Sequence, residues 1–504
     1  MKSLMICMLL KNLIKNISKD KKKIIIKGIA TNSKDVKKNF IFFAIKGNKV
    51  NGELYIKDAI NRGASVIVCS KSCKIKYKNV HIIRSNKVRY FLSELASKFY
   101  NLKPKNIIAV TGTNGKTSVV WYISKILNSL KYNNTTVGTL GHFKNGKKIN
   151  DINLTTPAYE ELFKYGSSNK REKNIYIFEA SSHALEQNRL RNYPINIAAI
   201  TNISKDHLDY HKTFSNYKKS KIKLFTNHLE NKGFAIINSR LKNSSELKKK
   251  LIKKNVQLKY FGNKSLKLLK IKDVVYLNIN DKKYKLENLK VKTNIEFENL
   301  ECAITCCLAL NISQNKIIKV LSKVTNPAGR LETIEYKKKN SKIIIDYAHT
   351  PDALKKILIA YKIKKIKPAI LFGCGGNRDK TKRKFMALIA ILLSAPVGGA
   401  KCAARISDCC APGRSIIIAW PCSGIDASAI CFAPLLPSTF HLPNSFSSMG
   451  LMAPNVVSPT TKIVALSGRS HVFLKLTRSS RVIACTSCSV PVPVNGIPYA
   501  WPSP

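Results

Sequence analysis

The chain has 504 residues and carries 88 Lys and Arg against 28 Asp and Glu, a formal net charge of +60 at pH 7. That length implies several domains. The charge invites a nucleic-acid-binding reading, but the lysines are spread through every segment up to Lys384, mixed with Ile and Asn and forming no stripe. No RNA-binding or helix-turn-helix signature accompanies them, and no run reaches the roughly 20 apolar residues a membrane helix needs. Neither nucleic acid nor membrane is expected as a partner.

The opening stretch, "MKSLMICMLLKNLIKN", has an apolar core too short for a secretory signal and no A-x-A-like site after it; an amphipathic first helix is predicted. From there "IKGIATNSKDVKKNFIFFAIKGNKVNGELYIKDAINRGASVIVCS" alternates short apolar runs with polar turns, as a small α/β domain over residues 1–103 would. It closes near "YNLKPKN", where Pro104 marks a linker. Ser33, Asn48 and Asn51 fall in its turns.

Residues 104–326 read as a second domain. "NIIAV" is fit for a buried parallel strand. After it "VTGTNGKTSVV" leads into Val119, Ile123, Ile126, Leu127 and Leu130 at helical spacing. A glycine loop between a strand end and a helix start aims backbone N–H groups and the helix dipole at an anion. Gly112 and Gly115 let the backbone approach, Lys116 can reach terminal phosphates, and the Thr117 hydroxyl suits Mg²⁺. The usual G-x-x-x-x-G-K-[ST] loop would put its first glycine at position 110, which is Val110, so this loop is clipped. ATP is the expected ligand, with Thr113, Asn114 and Ser118 completing the cradle. Further strands and helices alternate in "NIYIFEASSHAL", "INIAAITNISKDHLDYH" and "GFAIINSR", the pattern of a doubly wound sheet with ligands at strand C-terminal ends. Glu179 ends one strand and His207 follows another, so a carboxylate and an imidazole can hold Mg²⁺ beside the γ-phosphate. "HLDYH" is not a zinc-protease motif, since Leu208 stands where H-E-x-x-H needs its glutamate.

A third domain begins near Pro327 and runs to about residue 390. There the composition breaks. Residues 391–504 hold 8 of the 88 Lys and Arg, 2 of the 28 acids, 13 of the 19 prolines and 7 of the 14 cysteines. Few regular periods survive, and Cys485 and Cys488 form a C-x-x-C without the second pair a zinc ribbon requires. This tail reads as non-native, from a frameshift or a joined reading frame, or as a disordered Pro-rich extension.

"GTNGKTS", "TTP" at Thr155 to Pro157, "EASSHALEQNRL", "TNISKDHLDYH", "YKKSKIKLF", "GRLE" at Gly329 to Glu332, "DYAHTPDAL" and "FGCGGNRDKTKR" occur in one order between residues 24 and 390. Together they closely resemble the Mur ligases, and most closely those that add a diamino acid. The clipped loop is that family's own form. The resemblance implies an α/β chain of three domains around a central P-loop doubly wound sheet, here with an incomplete third domain.

It also implies an ATP-dependent ligation in peptidoglycan precursor synthesis: meso-2,6-diaminopimelate joins UDP-N-acetylmuramoyl-L-alanyl-D-glutamate through an acyl phosphate. The implied Mg²⁺ ligands are Thr117, Glu179, His207 and Lys221, the last as N6-carboxylysine. Ser33, Asn48, Lys49 and Val50 would meet the uridine diphosphate end; Thr155, Thr156, Ser181, Gln187 and Arg189 would hold the muramoyl-peptide end, the planar fork of Arg189 suiting a carboxylate or phosphate. Asn299, Arg330, Asp346 and His349 would surround ATP, and His183 is read as structural. A cytoplasmic monomer is expected.

Several positions depart from the family pattern. "NSK" at Asn32 to Lys34 replaces D-S-R, Glu296 replaces an asparagine, and "NSR" at Asn238 to Arg240 replaces N-x-D-D. The D-N-P-R stretch that reads diaminopimelate in the family is nowhere in residues 386–504. L-lysine as the added amine, a fused chain that binds ATP and nucleotide sugar without completing ligation, and a basic nucleic-acid-binding ATPase are the alternatives.

Overall fold

Short β-branched and aromatic runs build the first sheet. The computed structural model describes residues 7–15, 17–47, 50–100, 104, 106–167, 174–241, 245–336, 341–361, 368–372, 381–393, 415–419, 461–467 and 470–476. They divide into two units, Met1–Pro327 and Ala328–Pro504.

At the start of the first unit β1 (Met8–Leu9) pairs antiparallel with β2 (Ile25–Ile26), leaving α1 (Leu10–Leu13) as a single turn. The expected amphipathic first helix is thus reduced to one turn, because the apolar stretch is consumed partly by strand pairing. Leu10 and Leu13 are fully buried in the same core as the third helix. The strands β3 (Gly28–Ala30), β4 (Phe40–Phe43), β5 (Ala64–Cys69) and β6 (His81–Arg84) form a parallel sheet in that order. Side chains alternate across it. Phe42 and Ile67 pack with α2 (Ile56–Asn61), whereas Ile41, Phe43, Val66 and Val68 pack with α3 (Val88–Phe99).

The central sheet repeats this logic at larger scale. Its elements are β7 (Asn106–Thr111), α4 (Lys116–Ser129), β8 (Asn134–Gly138), β9 (Gly141–Lys144), β10 (Lys147–Asn150), α5 (Tyr159–Gly166), β11 (Ile175–Glu179), α6 (Ser182–Glu186), β12 (Ile195–Ile200), α7 (Leu208–His211), α8 (Phe214–Lys223), β13 (Leu229–Asn238), α9 (Ser245–Lys253) and β14 (Gln257–Phe261). The strand order is β10-β9-β8-β11-β7-β12-β13-β14. The six strands from β8 to β14 run parallel, and β9 and β10 add an antiparallel hairpin at the edge. Ile108 and Val110 face the core that holds α4, while Ile107 and Ala109 face the opposite one.

After the sheet comes an antiparallel meander of β15 (Leu266–Ile271), β16 (Val274–Ile279) and β17 (Lys282–Leu286), which the sequence reading did not anticipate. It is tied to α10 (Asn294–Ala309), whose buried Glu301 accepts a 2.7 Å hydrogen bond from the Leu268 backbone. The helix α11 (Gln314–Val320) and a short 3-10 turn at Leu321–Lys323 follow. The register sets Glu179 beside Val110 and Ile200 beside Thr111, so three parallel strands finish together at one edge.

In the second unit β18 (Glu332–Tyr336) pairs antiparallel with β19 (Ser341–Asp346). After α12 (Pro351–Ala360), β20 (Ala369–Phe372) and α13 (Thr381–Leu393), β21 (Ser415–Ala419) lies parallel between β19 and β20. The strands β22 (Thr461–Ser467) and β23 (Ser470–Leu476) make a separate hairpin. The remainder of residues 394–504 lies outside the described residues. Among the described residues no helix is long and apolar enough to cross a membrane.

Candidate functional site: a glycine loop ringed by buried lysine, carboxylate and imidazole

The strand β7 stops at Thr111 and α4 starts at Lys116. Val110 is fully buried in the strand, so the loop begins only at Gly112. Gly112 and Gly115 have φ of +146° and +86°. A Cβ on Gly112 would lie 1.9 Å from Thr201 Oγ1, and one on Gly115 2.2 Å from Asn299 Oδ1. Only glycine meets both demands. The segment after β12 braces the loop: Thr113 N donates to Asn202 O (2.9 Å), Asn114 N to Asn202 Oδ1 (3.0 Å), and Thr201 Oγ1 to Asn114 O (2.6 Å). Thr113 Oγ1 lies 2.9 Å from the Tyr217 hydroxyl. Thr117 and Ser118 are buried in the first turn of α4. Sequence reasoning missed Thr201 and Asn202, whose bracing role shows only in three dimensions.

Two lysines converge on this loop. Lys116 Nζ donates to Gly112 O (2.8 Å) and Thr113 O (2.9 Å), and Lys221 Nζ donates to the same Gly112 O (2.7 Å). Lys221, on α8, is 1% exposed and lies 4.6 Å over the Tyr217 ring. Burial, and then the Lys116 charge, push its amine well below the usual lysine range, with Asp206 opposing. Such an amine gives up its proton more readily than a surface lysine, which favours its nucleophilic form.

Glu179 accepts hydrogen bonds from Thr117 Oγ1 (3.0 Å), Thr139 N (2.7 Å) and Thr139 Oγ1 (3.3 Å). His207 caps α7 in the left-handed region at φ +53°, which non-glycine residues seldom adopt. Its Nε2 lies 3.3 Å from Asp206 Oδ2, and its backbone N donates to Asp206 Oδ1 (3.0 Å). Burial pushes the imidazole well below its usual range; Asp206 opposes this, while His183, Lys116 and Lys221 add to it. The buried Asp206 is a further residue the sequence reading passed over. His183, read as structural, lies with its ring 4.9 Å from His207 and 4.3 Å from Tyr210.

Among the described residues no three His, Cys, Asp or Glu side chains cluster as a metal site. The Thr117 hydroxyl and Glu179 carboxylate are hard oxygen donors of the kind Mg²⁺ takes, and a neutral imidazole can join them. Lys221 as an amine offers no oxygen; as a carbamate it would.

The residues expected at the muramoyl-peptide end form one network. Thr156 Oγ1 donates to Glu179 O (2.7 Å) and accepts from Ser181 N (2.9 Å). Arg189 donates to Thr156 O (3.0 Å) and to Gln187 Oε1 (2.6 Å), and Gln187 Nε2 donates to the Tyr210 hydroxyl (3.2 Å). Thr155 joins through Thr139 Oγ1 at 3.4 Å. Ser33 is buried in a short turn of the N-terminal sheet, and Val50 is exposed. Asn48 and Lys49 lie outside the described residues. In the second unit, Asp346 Oδ2 accepts from Leu331 N (2.9 Å), Arg330 stacks 4.6 Å over Tyr347, and His349 Nδ1 lies 3.1 Å from Tyr347 O. These three gather where β19 ends; Asn299 lies in the first unit, against Gly115.

Comparison with known proteins shows the family of the chain. The Mur ligase family catalytic domain matches residues 25–100, the Mur ligase middle domain residues 110–307, and the Mur ligase glutamate ligase domain residues 329–398. The chain belongs to the Mur ligase family. It is 40% identical over 385 residues to the UDP-N-acetylmuramoyl-L-alanyl-D-glutamate–2,6-diaminopimelate ligase of Rickettsia prowazekii, covering 73% of this chain and 78% of that one. The protein of the same name from Rickettsia montanensis is 39% identical, with 72% and 78% covered. A solved structure of a UDP-N-acetylmuramoyl-L-alanyl-D-glutamate–2,6-diaminopimelate ligase superposes with a TM-score of 0.61 at 22% identity, over 82% of this chain and 93% of that one. MurF from Acinetobacter baumannii gives 0.58 at 17%, over 79% and 90%. The structural likenesses show a shared fold.

Proposed function

We propose that the chain is a cytoplasmic ATP-dependent amide ligase that adds meso-2,6-diaminopimelate to UDP-N-acetylmuramoyl-L-alanyl-D-glutamate. The observation that carries this reading is the meeting of Lys116 and buried Lys221 on the Gly112 carbonyl, in a loop whose Thr117 bonds Glu179. The names of the relatives support the substrate.

A carboxylate is a poor electrophile. The D-glutamate side-chain oxygen attacks the γ-phosphorus of ATP, the bond to the β-phosphate oxygen breaks, and ADP leaves. The amine then attacks the acyl carbon; the acyl C–O bond breaks, phosphate departs, and the amine's proton passes to solvent. Lys116 screens the approach of two anions and stabilises charge on the transferring group. The Gly112–Ser118 loop cradles the phosphates, and Arg189 holds an anionic part of the peptide. In the first unit Asn299, against Gly115, is assigned to ATP; the resemblance assigns Arg330, Asp346 and His349 of the second unit to ATP as well.

Lys221 adds CO₂: its amine, once deprotonated, forms the N–C bond and loses a second proton, converting the amine to a carbamate. Thr117, Glu179, His207 and carboxylated Lys221 would hold Mg²⁺, which supplies charge neutralisation at the phosphates when bound. Phosphate release that requires ATP, the muramoyl dipeptide and diaminopimelate together tests this. Release with L-lysine in place of diaminopimelate would reassign the amine, and no release with either would overturn the ligase reading. A second reading, binding without ligation, is favoured by the lack of D-N-P-R in residues 386–504; phosphate release without any amine would support it.

A further inference from the structure

Thr31 and Glu160 lie 129 residues apart in the chain yet meet in the first unit. Glu160, on α5, is 5% exposed, and its Oε1 accepts from both the Thr31 backbone N–H (2.9 Å) and the Thr31 hydroxyl (2.6 Å). Its Oε2 is buried and has no hydrogen-bond partner. A buried carboxyl is costly unless it is hydrogen-bonded; burial pushes Glu160 up to about 7, and the Thr31 hydrogen bonds oppose this. Two residues after Thr31 comes Ser33, and four residues before Glu160 comes Thr156, which bonds Glu179 O and Arg189. Arg189 lies within electrostatic reach of both Glu160 and Glu161, and Tyr100, at the end of α3, within reach of the same two carboxyls. One side chain therefore connects the turn assigned to uridine diphosphate with the turn assigned to the muramoyl peptide.

We propose that Glu160 is a positioning residue for the nucleotide-sugar substrate: its clasp on Thr31 fixes the span between the Ser33 turn and the Thr155–Thr156 turn, so both ends of one extended ligand are met at once. The proposal rests on the ligase reading. Both subsites would survive singly without the clasp, but their separation would no longer be set before the ligand arrives. Preorganisation of this kind acts on binding of the long substrate and leaves the phosphate chemistry alone.

The test is titration of the full chain and its variants with UDP-N-acetylmuramoyl-L-alanyl-D-glutamate, with ATP and free UDP as separate ligands and thermal midpoints recorded alongside. Glu160→Ala is expected to weaken the muramoyl nucleotide about tenfold while ATP and UDP change less than about twofold. Glu160→Gln, which keeps an acceptor for Thr31, should stay within about threefold of the parent. Thr31→Val loses only the hydroxyl and should fall between them, and Glu160→Ala combined with Thr31→Val should add little to Glu160→Ala alone. Equal weakening of all three ligands, or unchanged muramoyl-nucleotide binding in a folded Glu160→Ala, overturns the proposal while leaving the ligase reading in place. If the parent itself does not bind the muramoyl nucleotide, the ligase reading fails and the proposal falls with it.

Discussion

The two units hold their site residues by different means. In the first, the bonds that brace the loop from outside cross long stretches of chain: Thr117 to Glu179 spans 62 residues, Asn114 to Asn202 spans 88, and Lys221 to Gly112 spans 109, while the Lys116 bonds to Gly112 and Thr113 are local. In the second, Asp346 is held by Leu331, 15 residues away, and His349 lies against Tyr347, two residues away. The first cluster is a product of sheet topology, with three strands ending at one edge. In the second the side-chain contacts among the described residues are local to one strand end and its flanking turns, while the strand itself is held by its pairing with β21. A site built from long-range bonds is preorganised only when the whole sheet is formed, so damage should be all-or-none in the first unit and graded in the second.

The largest expected effect tests that contrast at Lys221. Lys221→Ala removes the group that, with Lys116, flanks the Gly112 carbonyl, and should lower phosphate release by roughly 10²–10³, a loss typical of deleting one preorganised electrostatic partner. Depleting the buffer of CO₂ and bicarbonate should slow the parent reversibly and leave Lys221→Ala unchanged. Near-parental turnover in that variant would place the chemistry elsewhere.

Next comes the end of the second unit. β21 lies between β19 and β20, and β20 pairs with no other strand among the described residues. A chain ending at residue 414 loses those ladders. Backbone hydrogen bonds contribute about 1 kcal/mol each, so the second unit's unfolding transition should drop by several kcal/mol, on the order of 4, with the first unit's unchanged. If calorimetry shows both transitions intact, Ser415–Ala419 contributes nothing to the working domain, as a foreign tail would.

How far these regions could be read beforehand follows the same division. The strand–glycine–helix unit was plain in the sequence because its signals are local: an apolar run, two glycines, and Val119, Ile123 and Ile126 at helical spacing. Glu179 was legible as the polar end of a buried strand. Asp206, Thr201, Asn202 and the Thr31–Glu160 clasp were not, since a polar residue near a strand end looks alike whether it braces a loop or meets solvent. The meander of β15 to β17 was hidden because in "LKLLKIKDVVYLNINDKKYKL" apolar residues such as Leu269, Ile271, Val274 and Tyr276 also sit on the partly exposed face, which blurs the two-residue alternation that marks a strand. The one-turn α1 failed for a related reason, since an isolated apolar stretch carries no sign of its pairing partner.

A smaller effect tests the second unit's graded behaviour. Asp346→Asn keeps an acceptor for the Leu331 N–H while removing the charge beside it. If Asp346 serves ATP, KM for ATP should rise about tenfold with the muramoyl nucleotide unaffected and both thermal transitions close to the parent's. A collapse of the second unit in this variant would mean that its local contacts are as interlocked as those of the first.

The smallest effect is the acid sensitivity that long-range burial brings to the first unit. His228 ends the turn after α8, is 9% exposed, and its Nε2 has no hydrogen-bond partner. Burial pushes its imidazole down to about 4; a hydrogen bond with the Leu190 backbone opposes this, and Lys254, Lys223 and Arg191 add to it. An unfolded histidine titrates near 6.5. Above that pH both states are neutral and the residue contributes no pH dependence. As pH falls from about 6.5 toward 4 the unfolded chain takes up a proton that the folded chain refuses, so stability declines by at most about 1.4 kcal/mol per pH unit. His228→Gln should flatten that decline between pH 6 and 4.5 in chemical denaturation followed at the first unit. It should not abolish it, because burial also lowers His142 and His211. An unchanged slope would mean that His228 is protonated in the folded chain, with water or a carbonyl serving its Nε2.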